Sequence, residues 1–438
     1  MAVMTGLSFV YVALPVAMAV YLLFPPVWRG YALLGLSLAY YFVAFPLFSL
    51  YMMGAAAMDL AALEIMRRKN DNPLIRKLCL AFSLSKNLGC IALFGGIMQN
   101  GSSPETLLGL YVVTLSGMGC VLEAYRGKIL HAVNPGHFLL YCFYFPRLAG
   151  GPLVSCREFA PQLESPSASL PEIASGLGMF LVGAVKFRIL GQTLLTFYGT
   201  LRTVPHGDVS VAGVWLTVFA LALSVYYRFS GCADMARGIG RMMGISLPEN
   251  FIYPYQSKSV ADFFGRFNLT LTNYMRESLG PRFSIGALGL LITGAASGLW
   301  FGITAGRLAW GLFLGLFLIM ERYLYPGFFE RTPTILCRLY AMLVIFFSFA
   351  IFDAVDISQV TQTAARMTGL GSIPFWSERL GYLLASNRLL LISGVLFASG
   401  VANRALEFLR ERAPAFVYAA LMALINLALL GLLTAFSI

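Results

Sequence analysis

The stretch Val209-Ser210-Val211-Ala212-Gly213-Val214-Trp215-Leu216-Thr217-Val218-Phe219-Ala220-Leu221-Ala222-Leu223-Ser224-Val225-Tyr226-Tyr227-Arg228-Phe229-Ser230 carries a single charged residue, Arg228. As a helix it is long enough to cross the roughly 30 Å hydrocarbon core of a bilayer. Runs of the same kind lie near 7–28, 31–58, 78–98, 105–122, 175–200, 285–303, 308–325, 335–352, 387–403 and 415–436. They define the fold class: an all-α polytopic membrane protein of about eleven transmembrane helices, read as one membrane domain over 1–438. Composition agrees, with 58% of residues hydrophobic and only 12% charged, where a soluble domain carries about a quarter charged. Lipid-facing helices can be apolar all round because their backbone bonds are satisfied internally.

The formal net charge of +11 does not call for a nucleic-acid partner, because the Lys and Arg residues sit in short loops between apolar spans. Membrane lipid is the expected surrounding. The loop from Met66 to Lys77 holds five basic residues against one acid, and the positive-inside rule turns it toward the cytoplasm. The apolar stretch 7–28 lacks a basic leader region and a small-residue cleavage site, so it reads as a retained span with no cleaved signal.

Seven cysteines, Cys79, Cys90, Cys120, Cys142, Cys156, Cys232 and Cys337, are scattered without a C-x-x-C or a Cys/His cluster. Neither a disulfide framework nor a metal site is indicated. Three histidines, His131, His137 and His206, leave few general bases. No phosphate-binding loop, nucleophile elbow or dinucleotide fingerprint is present.

Two semi-polar regions interrupt the spans. In the first, Asn134-Pro135-Gly136-His137 leads to Phe145-Pro146-Arg147-Leu148-Ala149-Gly150-Gly151-Pro152, a Pro/Gly segment that breaks any helix. It reads either as an interfacial loop or as a re-entrant segment bordering a cavity, since broken backbone at membrane depth must be buried in protein or line one. In the second, Pro248 to Ser259 is an extended entry, and Ser259 or Asp262 opens an amphipathic helix running through Met275. Arg266, Asn268, Arg276 and Glu277 on that helix either lie solvated at the interface or turn partly inward, where polar groups at depth mark sites.

Several blocks resemble the membrane-bound O-acyltransferase family, in its bacterial branch of alginate O-acetylation and teichoic-acid D-alanylation proteins. The likeness covers about residues 120–355, between N-terminal spans at 1–119 and C-terminal spans at 356–438. Tyr125-Arg126-Gly127, then Phe145 to Pro152 and Arg157-Glu158-Phe159, are similar to F-P-x-L-x-x-G-P followed by R-x-x-F. Phe229-Ser230-Gly231-Cys232-Ala233-Asp234-Met235-Ala236-Arg237-Gly238, with Leu247-Pro248-Glu249-Asn250-Phe251 and Pro254-Tyr255, is similar to F-S-G-Y-S-D-M-A-x-G and L-P-E-N-F-x-x-P-Y. Phe263 to Leu279 resembles F-W-R-R-W-H-I-S-L-S-x-W-x-R-D-Y-L. Ser297-Gly298-Leu299-Trp300-Phe301-Gly302 and Trp310-Gly311-Leu312 resemble S-G-L-W-H-G and W-G-L.

The resemblance implies shorter re-entrant or interfacial helices beside the spans, all ringing a central tunnel in a multi-pass protein of the bacterial cytoplasmic (inner) membrane. It implies an acyl thioester donor, acyl-CoA or acyl carrier protein, on the cytoplasmic side, with no bound cofactor. A hydroxyl of an envelope or secreted polymer is the acceptor, and an extracytoplasmic acyltransferase is a partner. Tunnel or substrate contacts then fall to Arg147, Tyr255, Asn268, Arg276, Trp300 and Phe301.

Both family histidines are replaced. Phe301 stands at the W-H-G position and Asn268 at the R-W-H position, with Phe267 for the preceding tryptophan and Glu277 for the following aspartate. A phenyl ring cannot carry a proton, and general-base catalysis is worth about 10²–10⁴ in rate; Asn268 can orient or polarise but is no base. Substitute groups are His137, Asp234 and Glu277, with His131 behind them, although a lone histidine in an aromatic stretch is more often a structural hydrogen-bonder and Asp234 reads first as a helix-to-helix tie. His206 sits in an ordinary polar loop. Three readings stay open: acyl transfer with an altered mechanism, a catalytically degenerate scaffold or partner of a true acyltransferase with Phe301 plugging the passage, and a transport conduit.

Overall fold

Proline stands at the first position of five helices in turn, where its missing N–H costs nothing and its fixed φ suits the helix. In chain order these are α1 Pro26–Ala44, α2 Pro46–Arg68, α3 Pro73–Met98, α4 Pro104–Tyr125 and the short α5 Pro135–Phe143. They are followed by α6 Leu170–Val185, α7 Gln192–Arg202, α8 Val211–Met242, α9 Val260–Phe264, α10 Leu269–Leu279, α11 Ala287–Leu299 and α12 Ala305–Ile319. The chain ends through α13 Thr334–Phe352, α14 Ile357–Met367, α15 Glu378–Ser386, α16 Arg388–Ala398 and α17 Ala415–Ala435. The computed structural model describes residues 2–44, 46–98, 104–129, 133–164, 166–370 and 372–436. His131 lies outside them.

The protein is an all-α polytopic membrane protein. Among the described residues seven helices are long and apolar enough to cross a bilayer, Phe48–Arg68, Pro73–Gly95, Leu108–Tyr125, Leu170–Arg202, Val211–Met242, Thr334–Phe352 and Ala415–Ala435. An eighth arises if α15 and α16, bent by 67°, form one broken span. The run 31–58 is divided between α1 and α2, because Pro46 cannot continue a helix with an N–H bond. The runs near 285–303 and 308–325 yield helices of only 13 and 15 residues, α11 and α12.

Two compact units make up the chain. The first holds Met1–Phe180, Cys232–Glu249 and Asn273–Ser278; the second holds Leu181–Gly231, Asn250–Thr272 and Leu279–Ile438.

Within the first unit an ion pair is buried between α2 and α3. Asp59 accepts from Lys86 Nζ at 2.8 Å and Ser83 Oγ at 2.7 Å, and Asn87 reaches both of its carboxylate oxygens. A charge at that depth persists only when paired and hydrogen-bonded. At the helix ends, Arg76 donates to the Tyr125 carbonyl at 2.6 Å, which ties the basic loop to the end of α4. The Pro/Gly segment begins as a 3₁₀ turn that follows the short α5 and continues without regular structure from Gly151 to Ser155. Asn134 caps α5 through Gly136 N and His137 N, and Phe145–Ala149 follows as the 3₁₀ turn. Arg147 there is completely buried, donating to the Tyr141 carbonyl and to Ser116 Oγ at 3.2 Å. Its guanidinium lies over the Tyr141 and Phe159 rings.

In the second unit α11 and α12 cross on glycines. A Cβ at Gly294 would fall 2.3 Å from the Gly311 carbonyl oxygen, and one at Gly298 would fall 2.0 Å from that of Arg307. Small residues let helix backbones approach closely where hydrophobic drive is absent. The amphipathic helix expected from Ser259 through Met275 is instead two helices. Ser259 caps α9 through Asp262 N at 2.9 Å, but α9 ends at Phe264, and Asn268 adopts φ +52° before α10 begins. The interruption is held by pairing with the preceding extended segment. Ile252 N donates to Arg266 O at 2.9 Å, Leu269 N donates to Asn250 O at 3.0 Å, and Phe251 bridges Phe267.

Candidate functional site

Phe301 follows the last turn of α11, its N–H bonded to the Gly298 carbonyl at 3.1 Å. Four aromatic rings surround its side chain within the second unit. Phe229 of α8 is 4.6 Å away between centroids, Phe352 of α13 5.5 Å, Trp310 of α12 5.8 Å, and Phe267, just before α10, 5.9 Å. Most of these pairs are edge-to-face, an arrangement worth about 0.5–1.5 kcal/mol each beyond burial. Gly302 next to it has φ +132°, and a Cβ there would lie 1.9 Å from Arg307 Nη1. Arg307 uses that guanidinium to hold the Phe301 carbonyl. Glycine is therefore required after position 301 for backbone conformation and for space.

Asn268 is 3% exposed and joins this cluster through its neighbour Phe267. Asparagine and histidine are among the few residue types enriched at positive φ. The backbone at 268 thus accepts either one. Among the described residues, both polar side-chain atoms of Asn268, the Thr272 hydroxyl and the Trp310 indole N–H are buried without a hydrogen-bond partner. Unpaired buried polar groups are costly and rare, and functional sites are where they persist. They can donate to or orient an ester or hydroxyl oxygen, but none of them takes up a proton near neutral pH.

Tyr255 packs against the same hydrophobic core. Its hydroxyl donates to the Ala222 carbonyl at 2.7 Å and its ring stacks on Phe346. Through Tyr226, Phe251 and Phe267 it is linked ring by ring to Phe301. Trp300 is 4% exposed and closes the last turn of α11.

The remaining candidates belong to the first unit. His137 lies against Tyr31, 5.9 Å between rings; burial pushes its imidazole below the usual range, against a smaller upward pull from Glu164. Asp234 is ion-paired with Arg237 at 3.5 Å, and Arg237 also holds Glu249 at 2.9 Å. Glu277 pairs with Lys128 at 3.5 Å on the surface, and its carbonyl accepts from Arg126. Arg276 is exposed. Of the four polar residues expected on the amphipathic helix, Asn268 is the one turned inward, while Arg266 is held by Asp262 at 2.7 Å. No group of three or more His, Cys, Asp or Glu side chains that could hold a metal occurs among the described residues.

Among the buried carboxylates the sequence reading did not single out, Glu321 lies in the second unit. Glu321, 8% exposed, accepts from Val260 N at 2.7 Å and Ala261 N at 2.9 Å, the first residues of α9. A carboxylate at a helix N-terminus meets both orphan donors and the positive end of the helix dipole. The signal was a lone acid inside the apolar run 308–325.

The motif blocks read along the chain therefore meet in space: Phe229, Phe267, Phe301 and Trp310 come from three of them. Residues 120–357, more than half of the chain, match the model of MBOAT, the membrane-bound O-acyltransferase family. The chain belongs to this family. Among its relatives are a probable alginate O-acetylase of Azotobacter vinelandii, 25% identical over 83% of this chain and 77% of that protein, and a peptidoglycan O-acetyltransferase of Helicobacter pylori, 28% identical over 60% of this chain and 53% of that one. A teichoic acid D-alanyltransferase of Bacillus subtilis is 26% identical over 52% of this chain and 60% of that protein. These relatives put the chain in the alginate and teichoic-acid branch of the family.

Proposed function

We propose that the chain acts in the O-acylation of an envelope or secreted polymer in the cytoplasmic membrane of a bacterium. The acyl group comes from a thioester, acyl-CoA or acyl carrier protein, at the cytoplasmic end of a tunnel. A separate extracytoplasmic acyltransferase is the partner. One observation carries the reading: Phe229, Phe267 and Trp310, from three family blocks, supply rings around position 301. Relatives named for alginate, peptidoglycan and teichoic acid support a polymer acceptor. With an already activated thioester, orientation alone can contribute roughly 7–11 kcal/mol, and Asn268 supplies hydrogen bonds where the base is missing.

A second reading has its own observation. The side chain at 301 is phenyl, held by four rings, which favours a degenerate member acting as a scaffold for a true acyltransferase. Thioester hydrolysis and transfer to a hydroxyl acceptor, measured on the purified protein in lipid nanodiscs, separate the two. Turnover by the unaltered chain supports transfer with a replacement mechanism. Turnover only in Phe301→His and Asn268→His/Phe301→His, with a gain of about 10²–10⁴-fold, supports the scaffold. Silence from all three removes the thioester reading.

A further inference from the structure

In the second unit, the end of α7, the start of α8, the end of α13, α14 and α15 enclose a cavity of about 340 Å³, within the roughly 300–1,000 Å³ typical of small-ligand sites. Its charged lining is Arg202, His206, Asp208, Asp353, Arg366 and Arg379. Asp353 is already committed: one of its carboxylate oxygens accepts from Arg202 Nη1 at 2.9 Å and from the Tyr198 hydroxyl at 2.8 Å. Arg366 and Arg379 have no ion pair among the described residues, Arg379 lying over the Tyr382 ring. Arg366 is half-buried. Gln362, Thr363 and Ser377 add amide and hydroxyl groups to the same wall. His206, which reads as a plain loop residue in the sequence, is part of that lining.

Uncommitted guanidinium groups bind carboxylate and phosphate oxygens with directed N–H bonds, and neighbouring amides and hydroxyls suit the hydroxyl groups of a sugar or polyol.

We infer that this cavity binds the acceptor polymer through a carboxylate or phosphate carried on its sugar or polyol units. The inference rests on the proposed polymer acceptor, but its test needs no turnover, so an inactive scaffold that binds would leave it standing. The experiment is calorimetric titration of the full chain, in nanodiscs of neutral lipid, with a uronate tetrasaccharide, a glycerol-phosphate oligomer and a neutral glucan tetrasaccharide. Expected is binding of at least one anionic probe but not the glucan. That binding weakens about tenfold or more in Arg366→Gln and in Arg379→Gln, as for loss of a charge-assisted contact. Should either variant melt early, the same titration of the unaltered chain at rising salt serves instead, with affinity falling as charges are screened. Equal affinity for the glucan, no binding of any probe, or salt-independent binding overturns the inference. So does displacement of the anionic probe by coenzyme A, which would make this a donor site, or by phosphatidylglycerol in the disc, which would make it a lipid site.

Discussion

The side-chain Oδ1 of Asn250 accepts two hydrogen bonds from Thr270, one from its backbone N–H at 3.0 Å and one from its hydroxyl at 2.8 Å. Asn250 is 2% exposed, and its own carbonyl takes Leu269 N. This one residue, from the L-P-E-N-F block, starts α10 and fixes the break that places Asn268 in its left-handed turn.

Asn250→Ala should therefore cost about 1–3 kcal/mol, since a buried N–H and a buried hydroxyl lose their acceptor. Asn250→Asp keeps the oxygen and sets a negative charge at a helix N-terminus, where the dipole favours it. Thermal melting of the purified proteins in detergent checks this: the alanine variant should melt clearly earlier than the aspartate variant. Equal melting temperatures would show that the cap does not hold the break.

The glycines of the α11–α12 crossing make a second comparison. A Cβ at Gly298 meets backbone at 2.0 Å, whereas one at Gly199, exposed on α7, meets nothing within 4 Å. Gly298→Ala should force the helices apart and cost about 1–3 kcal/mol, the usual range for overpacking. Gly199→Ala should be neutral or stabilising by up to about 1 kcal/mol through helix propensity. Paired measurements of folded yield and melting temperature read the contrast, and loss of stability at Gly199 would contradict the geometry.

Arg276 and Trp300 differ as probes of function. Trp300 is buried, so Trp300→Ala should cost about 3–5 kcal/mol through the cavity it leaves, and any loss of activity there is confounded. Arg276 is exposed and makes no side-chain hydrogen bond or ion pair among the described residues. Arg276→Ala should shift stability by no more than about 0.5 kcal/mol. If acyl transfer nevertheless falls in protein with an unchanged melting curve, Arg276 contacts a substrate or partner; unchanged transfer removes it from the site.

Much of the architecture was legible in the sequence because each span is a local property. Transfer of apolar side chains into lipid favours Val211 to Phe229 wherever its neighbours lie. Where prediction failed, a partner distant in sequence intervened. The amphipathic pattern from Ser259 to Met275 is genuine, yet Asn250 and Ile252 compete for the backbone at 266–270 and break the helix there. Glu321 was visible as a lone acid, but its two N–H partners lie about sixty residues away, beyond any periodicity argument. Arg147 belonged to a recognisable block; that it is wholly buried beneath Tyr141 and Phe159 follows only from how that block folds.

By itself the sequence determined that lipid is the solvent, that blocks resembling the family's follow one another along the chain, and that phenylalanine stands at 301 and asparagine at 268. These are matters of composition and position. Only the tertiary structure decided that Phe301 is enclosed by rings from residues 229, 267, 310 and 352, and that Asn268 sits buried at positive φ beside them. Such contacts depend on helix crossings set by glycines and caps far apart in the chain, and no local free energy specifies them.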